Sequence, residues 1–112
     1  MRVLVVEDHE DSLSSLVQYL NLCGFEVVGV HDAEAGLASY QLEGAEVVLT
    51  DIHLPGMSGC ELARAIRALH GPAPRINAMS GVPLPKQEQA LFEHFFLKPL
   101  NLNSLSAVLL HY

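Results

Sequence analysis

Acidic and hydrogen-bond-donating residues follow four of the five short apolar runs in the sequence. Glu7 and Asp8 follow the first run, Asp51 follows the third, and Ser80 and Lys98 follow the fourth and fifth. Three carboxylates at one place would repel each other, and a hard divalent cation relieves such repulsion. Carboxylates, a divalent cation, a lysine and a hydroxyl together can bind a phosphoryl group. The sequence therefore contains the parts of a phosphoryl-transfer site, provided that the fold brings them together.

The oxygen-rich residue set favours Mg²⁺ as the cation. This ion prefers oxygen ligands and is commonly bound by one or two carboxylates while it keeps several waters. We expect Asp8 and Asp51 to bind it directly and Glu7 to act through water. The backbone carbonyl of His53, two residues after Asp51, could complete the coordination.

Asp51 is the best candidate for the nucleophile of this site. The apolar run at 46–50 leads directly into it, which would carry its carboxylate to the end of a buried strand. Carboxylates form covalent phosphoryl intermediates in known chemistry. Lys98 would neutralise charge on the transferring oxygens, and Ser80 would donate a hydrogen bond to one of them.

The elements that must position these residues alternate along the chain. Apolar runs typical of buried parallel strands are separated by segments with helical spacing of leucine, isoleucine and valine. Strict alternation predicts an α/β sandwich with a parallel sheet, in which ligands bind at the carboxyl ends of the strands. With strand order 2-1-3-4-5, His31 and Asp32 would lie to one side of the site. The predicted strands are 3–6, 25–30, 46–50, 75–79 and 94–97.

Local signals mark some helix boundaries. Ser58 and Glu61 have the spacing of a capping box, which predicts that a helix begins near residue 59. The segment at 71–74, with its glycine and two prolines, should end that helix. Gly24 stands where a helix end favours a left-handed residue. These signals agree with the alternation of strands and helices.

Composition limits the classes of function. The chain of 112 residues predicts one domain, residues 1–112, and its net charge of −7 with six Lys and Arg disfavours direct nucleic-acid binding. No apolar run is long enough for a membrane span, and an acid stands too early for a signal peptide, so we expect a cytoplasmic location. Cys23 and Cys60 fit no metal-binding spacing and are expected to be reduced thiols.

Four motifs together resemble one known family. The segments "VLVVEDHEDS", "VVLTDIHLPGMSG", "AMSG" and "LKPL" are similar, in order and in spacing, to those of the receiver (response-regulator) domains of two-component signalling. The resemblance covers essentially the whole chain. It implies a flavodoxin-like (βα)5 fold, Mg²⁺ binding and phosphorylation of one aspartate by the phosphohistidine of a histidine kinase or histidine phosphotransfer protein. It implies a signalling domain whose only catalysis is its own phosphorylation and dephosphorylation.

The resemblance also implies a role for individual residues. The Lys98–Pro99 peptide is often cis in this family. The start at Met1 suits a stand-alone regulator as well as a segment of a hybrid kinase or longer regulator. By position, the acidic pair is Glu7 and Asp8, the phosphoacceptor is Asp51, the switch residues are Ser80 and Phe95, and the phosphate-side lysine is Lys98.

The sequence departs from the family around the fourth helix. Ser80 and Lys98 are 18 residues apart, about one helical turn closer than is usual. Prolines at 83 and 85 resist helix, which predicts a short or irregular helix from Lys86 to about Glu93. A shorter helix should cover the sheet less well, which would make Arg75 and Asn77 tolerable in the fourth strand. We further expect an exposed apolar surface near Phe92, Phe95 and Phe96, where a downstream effector could dock on the 83–112 face.

Three alternative interpretations remain open at this stage. Haloacid-dehalogenase-type phosphatases also use a strand-end aspartate with Mg²⁺ and lysine, but they need a second acid where this chain has His53. A receiver-like interaction module that is never phosphorylated would also fit the departures. Zinc at His9 and His53 is disfavoured because no third nitrogen or sulfur ligand has a suitable spacing.

Overall fold

The computed structural model describes residues 1–112 and contains five strands that alternate with five helices. All strand pairs are parallel, and their order in the sheet is β2-β1-β3-β4-β5. This confirms the predicted (βα)5 sandwich and its strand order. No helix combines the length and apolar composition that a membrane crossing requires. In chain order the elements are β1 Arg2–Val6, α1 Glu10–Leu22, β2 Glu26–Val30, α2 Ala33–Glu43, β3 Val47–Asp51, α3 Gly59–Arg67, β4 Arg75–Ser80, α4 Lys86–Gln89, β5 Phe95–Leu97 and α5 Leu102–Leu110.

Two apolar layers cover the sheet, one on each face. Side chains alternate across β1, so Val3 and Val5 face one layer while Leu4 and Val6 face the other. The first layer contains the buried leucines of α1 and α5, and the second contains α3 and the segment around α4. β3 is buried along its whole length, so its last residue is delivered to the edge of a rigid strand.

Helix α3 begins where the capping signal predicted. The side chain of Ser58 accepts a hydrogen bond from the Glu61 N–H, and the Glu61 carboxylate accepts one from the Ser58 N–H. This reciprocal capping box satisfies two backbone donors at the start of the helix. Gly24 follows the end of α1 with φ of 97°, the left-handed conformation predicted for it.

Helix α4 is even shorter than expected and spans only Lys86–Gln89. The chain cannot continue as a helix to Glu93, because the Glu93 N–H already donates to the Ile76 carbonyl at 2.8 Å and so joins the edge of β4. Arg67 of α3 donates two hydrogen bonds to the Leu91 carbonyl, at 3.1 and 2.6 Å, and fixes the turn that follows α4. The prediction of a short fourth helix is confirmed, although its predicted end was about one turn too late.

The explanation expected for Asn77 was wrong. This side chain is fully buried, so it does not lie under a thinly covered part of the sheet. Its amide nitrogen donates to the carbonyls of Val48 and Arg75, both at 3.4 Å, and its oxygen accepts a hydrogen bond from the Tyr112 hydroxyl. Asn77 is tolerated because every polar atom of its side chain has a partner. Arg75 is exposed, and its guanidinium lies 4.6 Å from the centre of the Tyr112 ring.

The apolar surface expected near the phenylalanines is formed by other residues. Phe92 is only 8% exposed and packs in the core, and Phe95 and Phe96 are half-buried. The large exposed apolar side chains between residues 82 and 112 are those of Val82, at 52%, Leu97, at 53%, and Leu110, at 59%. The exposed apolar side chain of Leu97 directly follows Phe96, whereas Phe92 lies in the core and forms no part of that surface.

Tyr112→Phe is expected to destabilise the fold by about 1–3 kcal/mol, because it leaves the Asn77 oxygen buried without a donor. The His94 Nδ1, 2.7 Å from the same hydroxyl, loses a partner as well. Chemical denaturation followed by circular dichroism measures the change. Tyr40→Phe is the matched control, since the half-buried Tyr40 packs against the core and its hydroxyl makes no hydrogen bond within the chain. Equal stabilities of the two variants would contradict this account of Asn77.

Candidate functional site

The carboxyl ends of the strands bring the predicted residues to one edge of the sheet. Glu7 and Asp8 follow β1, Asp51 is the last residue of β3, and Lys98 follows β5. One carboxylate oxygen from each of the three acids lies within 4.8 Å of the others. The parallel sheet thus brings Asp51 to Glu7 and Asp8, from which it is separated by more than 40 positions in the sequence.

Lys98 links two of these acids. Its Nζ lies 2.7 Å from Glu7 Oε1 and 2.6 Å from Asp51 Oδ2. Glu7 is 2% exposed and Asp51 is 6% exposed, whereas 30% of the Lys98 side chain remains accessible. Charge-assisted hydrogen bonds of this length in a partly buried site fix the Asp51 carboxylate firmly.

The charges at the site perturb each other. Burial raises the pKa of the Glu7 carboxyl, and the nearby Asp51 raises it further against the opposing effect of Lys98. Burial of Lys98 favours loss of its proton, but the hydrogen bonds and charges of Asp51 and Glu7 outweigh this and raise the pKa of Lys98. Lys98 therefore stays positively charged, and this single positive charge is balanced against the three acidic groups of the cluster.

The cluster fits a hard divalent cation. Glu7 Oε2 is buried and has no hydrogen-bond partner within the chain, so it needs a donor or a cation from outside. Asp8 is exposed and leaves the cluster open to solvent. All of the side-chain donor atoms are carboxylate oxygens, which suit Mg²⁺ and not a soft metal.

The loop after β3 helps to orient the Asp51 side chain. The His53 N–H donates to Asp51 Oδ1 at 3.2 Å, while Lys98 occupies the other carboxylate oxygen. The His53 carbonyl accepts no hydrogen bond within the chain, so it is free to act as a ligand. Its imidazole is exposed and belongs to no group of three metal-binding side chains, and His9 instead caps α1 by accepting from the Ser12 N–H at 3.4 Å. The arrangement gives no support to a zinc site.

Ser80 lies fully buried at the end of β4. Its hydroxyl oxygen accepts a hydrogen bond from the Val82 N–H at 3.2 Å, which leaves the hydroxyl proton available to another acceptor. The Lys98 N–H donates to the Ser80 carbonyl at 2.8 Å, so the backbones of the two residues are in fixed register. The segment between Ser80 and Lys98 is thus shortened at α4, but the backbone hydrogen bond between the two residues is kept.

Phe95 begins β5, beside Ala78 of β4, and packs half-buried against the core layer that contains α3. It lies in the strand that leads to Lys98, whose peptide bond to Pro99 is cis. The structure thus places the candidate switch aromatic on the same strand pair as Ser80.

One contact near the site has no sequence signal. Glu34 Oε2, in the first turn of α2, accepts a hydrogen bond from the Met57 N–H at 3.3 Å. Acids are common in first helical turns because the helix dipole favours them, so nothing in the sequence marks Glu34 as different. Only the packing of α2 beside the β3–α3 loop reveals the contact.

Comparison with known proteins identifies relatives over the whole length of the fold. The family model described as the response regulator receiver domain matches residues 3–109. The solved receiver domain (CheY-like) of Methylobacillus flagellatus is 28% identical, with a TM-score of 0.92, over 99% of this chain and 97% of that one. The response regulator TrrA of Thermotoga maritima, solved in complex with Mg²⁺–BeF, is 23% identical, with a TM-score of 0.89, over 98% of this chain and 96% of that one.

A curated relative is a much longer protein. The virulence sensor protein BvgS of Bordetella pertussis is 47% identical over 68 residues, which is 61% of this chain and 6% of BvgS. The shared segment is therefore a small part of that sensor. The family match extends over nearly all of the present chain, and the fold and the acidic cluster agree with it. The chain belongs to the response regulator receiver domain family of two-component signalling.

Proposed function

We propose that this chain is the phosphoacceptor of a two-component phosphorelay and that Asp51 accepts the phosphoryl group. The observation that carries the proposal is the pair of hydrogen bonds from Lys98 Nζ to Glu7 and Asp51, at 2.7 and 2.6 Å, within the acidic cluster. Lysine and carboxylates held together at a strand end supply both the nucleophile and the positive charge that phosphoryl transfer needs. Membership of the receiver family argues against the alternative that the chain is a haloacid-dehalogenase-type phosphatase.

Residues of the cluster would hold Mg²⁺. Asp8 and Asp51 would bind it directly, Glu7 would act through water, and the free carbonyl of His53 would add a ligand. TrrA, which shares the fold, was solved with Mg²⁺–BeF, and this supports the choice of cation. When bound, Mg²⁺ neutralises negative charge on the transferring group.

Phosphoryl transfer to Asp51 forms one bond to phosphorus and breaks another. A carboxylate oxygen of Asp51 attacks the phosphorus of a phosphohistidine on a histidine kinase or histidine phosphotransfer protein. The new P–O bond forms an acyl phosphate, and the P–N bond breaks with its electron pair going to the imidazole, which takes up a proton from water. The Lys98 ammonium donates hydrogen bonds to the phosphoryl oxygens, and the Ser80 hydroxyl, whose proton is not otherwise used, donates a hydrogen bond to one of them.

The signal would leave the site through β4 and β5. Once Ser80 turns toward the phosphoryl group, Phe95 of the adjacent strand can move inward and change the surface around it. Leu97, exposed within the 83–112 face, and Val82, which is exposed just before it, are candidates to contact a downstream effector. A kinase and an effector are therefore the two classes of partner that we propose.

Wild-type protein is expected to bind Mg²⁺ with a millimolar Kd, because an open carboxylate site that retains waters is not a dedicated cage. Asp8→Ala should weaken binding about tenfold or more, since it removes one of the two direct ligands. Isothermal titration calorimetry measures the change. Asp11→Ala is the control, because it removes the same charge from the first turn of α1, outside the acidic cluster.

Beryllofluoride, a phosphoryl mimic, distinguishes this proposal from an interaction module that is never phosphorylated. In the presence of Mg²⁺ the folded wild type should bind beryllofluoride, with spectral shifts centred on Asp51, Ser80 and Lys98. In the calorimetric experiment, an Asp8→Ala variant with unchanged Mg²⁺ affinity would refute the assignment of Asp8 as a direct ligand. A folded wild type that binds neither Mg²⁺ nor beryllofluoride would favour the interaction module.

A further inference from the structure

The loop between β3 and α3, residues 52–58, is anchored by backbone hydrogen bonds at Ile52 and by the capping box at Ser58. The Ile52 N–H donates to the Met79 carbonyl, and the Gly59 N–H donates to the Ile52 carbonyl, both at 3.0 Å. Leu54 is buried in the core, but the next two residues, at 55 and 56, are exposed. Between these anchors, the turn at 55–57 is held by the packing of Met57 against the core and by one further hydrogen bond.

Glu34 supplies that hydrogen bond. Its Oε2 accepts a hydrogen bond from the Met57 N–H at 3.3 Å, and apart from Asp51, which bonds the His53 N–H, Glu34 is the only side chain outside the loop and α3 that hydrogen-bonds the loop. The same oxygen lies 3.0 Å from the position that a Cβ on Gly56 would occupy, so the carboxylate is in close contact with the turn at Gly56. Gly56 has φ of 76°, which suits a residue without a side chain. Ala33, fully buried beside Glu34, fixes this end of α2.

We propose that Glu34 is a positioning residue for the phosphoacceptor site. By holding the Met57 N–H, it keeps the loop in the conformation in which the His53 N–H bonds Asp51 Oδ1 and the His53 carbonyl is free for a cation. The inference rests on the proposed function of Asp51. Glu34 acts through the loop and touches none of the reacting atoms.

Two simpler roles of Glu34 would leave different signatures. A negative charge in the first turn of α2 stabilises the helix through its dipole, and aspartate would serve that purpose equally well. A negative charge near the cluster would attract a cation, and glutamine would lose that attraction. Positioning instead requires an acceptor oxygen at the reach of glutamate. Glutamine keeps that reach, whereas aspartate is one methylene too short.

The variants Glu34→Asp, Glu34→Gln and Glu34→Ala separate these roles. Glu34→Asp and Glu34→Ala should weaken Mg²⁺ binding by about fivefold and slow phosphorylation by acetyl phosphate by a similar factor, as expected for one lost hydrogen bond. Glu34→Gln should remain within about twofold of wild type. Calorimetry gives the affinities, and intact mass against time gives the rates. Glu43→Ala, at the other end of α2, is the control for loss of an acidic charge.

Hydrogen exchange of the Met57 amide tests the positioning contact without metal or phosphodonor. Protection should fall in Glu34→Asp and Glu34→Ala and persist in Glu34→Gln. Equal exchange in all four proteins would overturn the inference, as would Mg²⁺ binding that is lost in Glu34→Gln but kept in Glu34→Asp. A wild type that protects Met57 but binds no Mg²⁺ and accepts no phosphoryl group would overturn the proposed function, while leaving the loop contact established.

Discussion

Asp51→Asn is expected to abolish phosphorylation of the chain. Asparagine has nearly the same shape, so Lys98 keeps its hydrogen bond to Glu7 and the strand end is undisturbed. It lacks the anionic oxygen that attacks phosphorus. Asp51 is also the only acid that ends a strand and bonds both Lys98 and the His53 N–H, so no other carboxylate should replace it. Intact-mass measurement after incubation with acetyl phosphate and Mg²⁺ should detect the phosphorylated species in wild type alone.

Asp11→Asn is the control for this experiment, because it removes the same charge from an exposed position in α1. Its phosphorylation yield should equal that of wild type. An unreduced yield in Asp51→Asn would show that another residue is the acceptor. Wild-type protein that reacts neither with acetyl phosphate nor with a phosphorylated histidine phosphotransfer protein would contradict the proposed function itself.

The convergence of the acidic residues and Lys98 could be predicted because it follows from strand geometry. An apolar run that ends in Asp51 places this residue at the edge of a buried strand, and parallel strands present their carboxyl ends on the same side. The spacing of the motifs then identifies which residues meet. What geometry alone cannot give is the contact pattern, such as the bond from Lys98 to Glu7 across 91 positions of sequence.

Element boundaries were less predictable where tertiary contacts compete with local signals. The prolines before Lys86 correctly predicted a late start for α4. Its end is set by the Glu93 N–H, which pairs with the Ile76 carbonyl of a neighbouring strand. No pattern in the segment itself encodes that pairing, so the helix was predicted to be longer than it is.

Polar residues whose partners are distant along the chain were the hardest to interpret from sequence. Asn77 in an otherwise apolar strand suggested poor coverage, yet its amide is satisfied by two carbonyls and by Tyr112, 35 positions away. Glu34 likewise looked like an ordinary acid at a helix start. In both cases the decisive partner is distant in sequence, and local propensity carries no information about it.

Gly59→Ala is expected to disrupt both the fold and the site. A Cβ at this position would lie 2.2 Å from the Asp51 carbonyl oxygen and 3.0 Å from the Ile52 Cα. Both neighbours are backbone atoms of a buried segment, so no flexible side chain can move away. Overpacking of this kind costs about 3 kcal/mol, which for a domain of this size lowers the Tm by about 10 °C. If Asp51 shifted instead to relieve the clash, the proposed phosphoacceptor would move away from Lys98.

Thermal unfolding and Mg²⁺-dependent phosphorylation together measure the effect of this substitution. Gly81→Ala is the matched control, because a Cβ there would have no neighbour within 4 Å and its φ is not positive. Gly81→Ala should therefore unfold within a few degrees of wild type. If Gly59→Ala had wild-type stability and wild-type phosphorylation, α3 would not need to begin against the Asp51 backbone. Close packing of the start of α3 on the end of β3 would then have no part in building the proposed site.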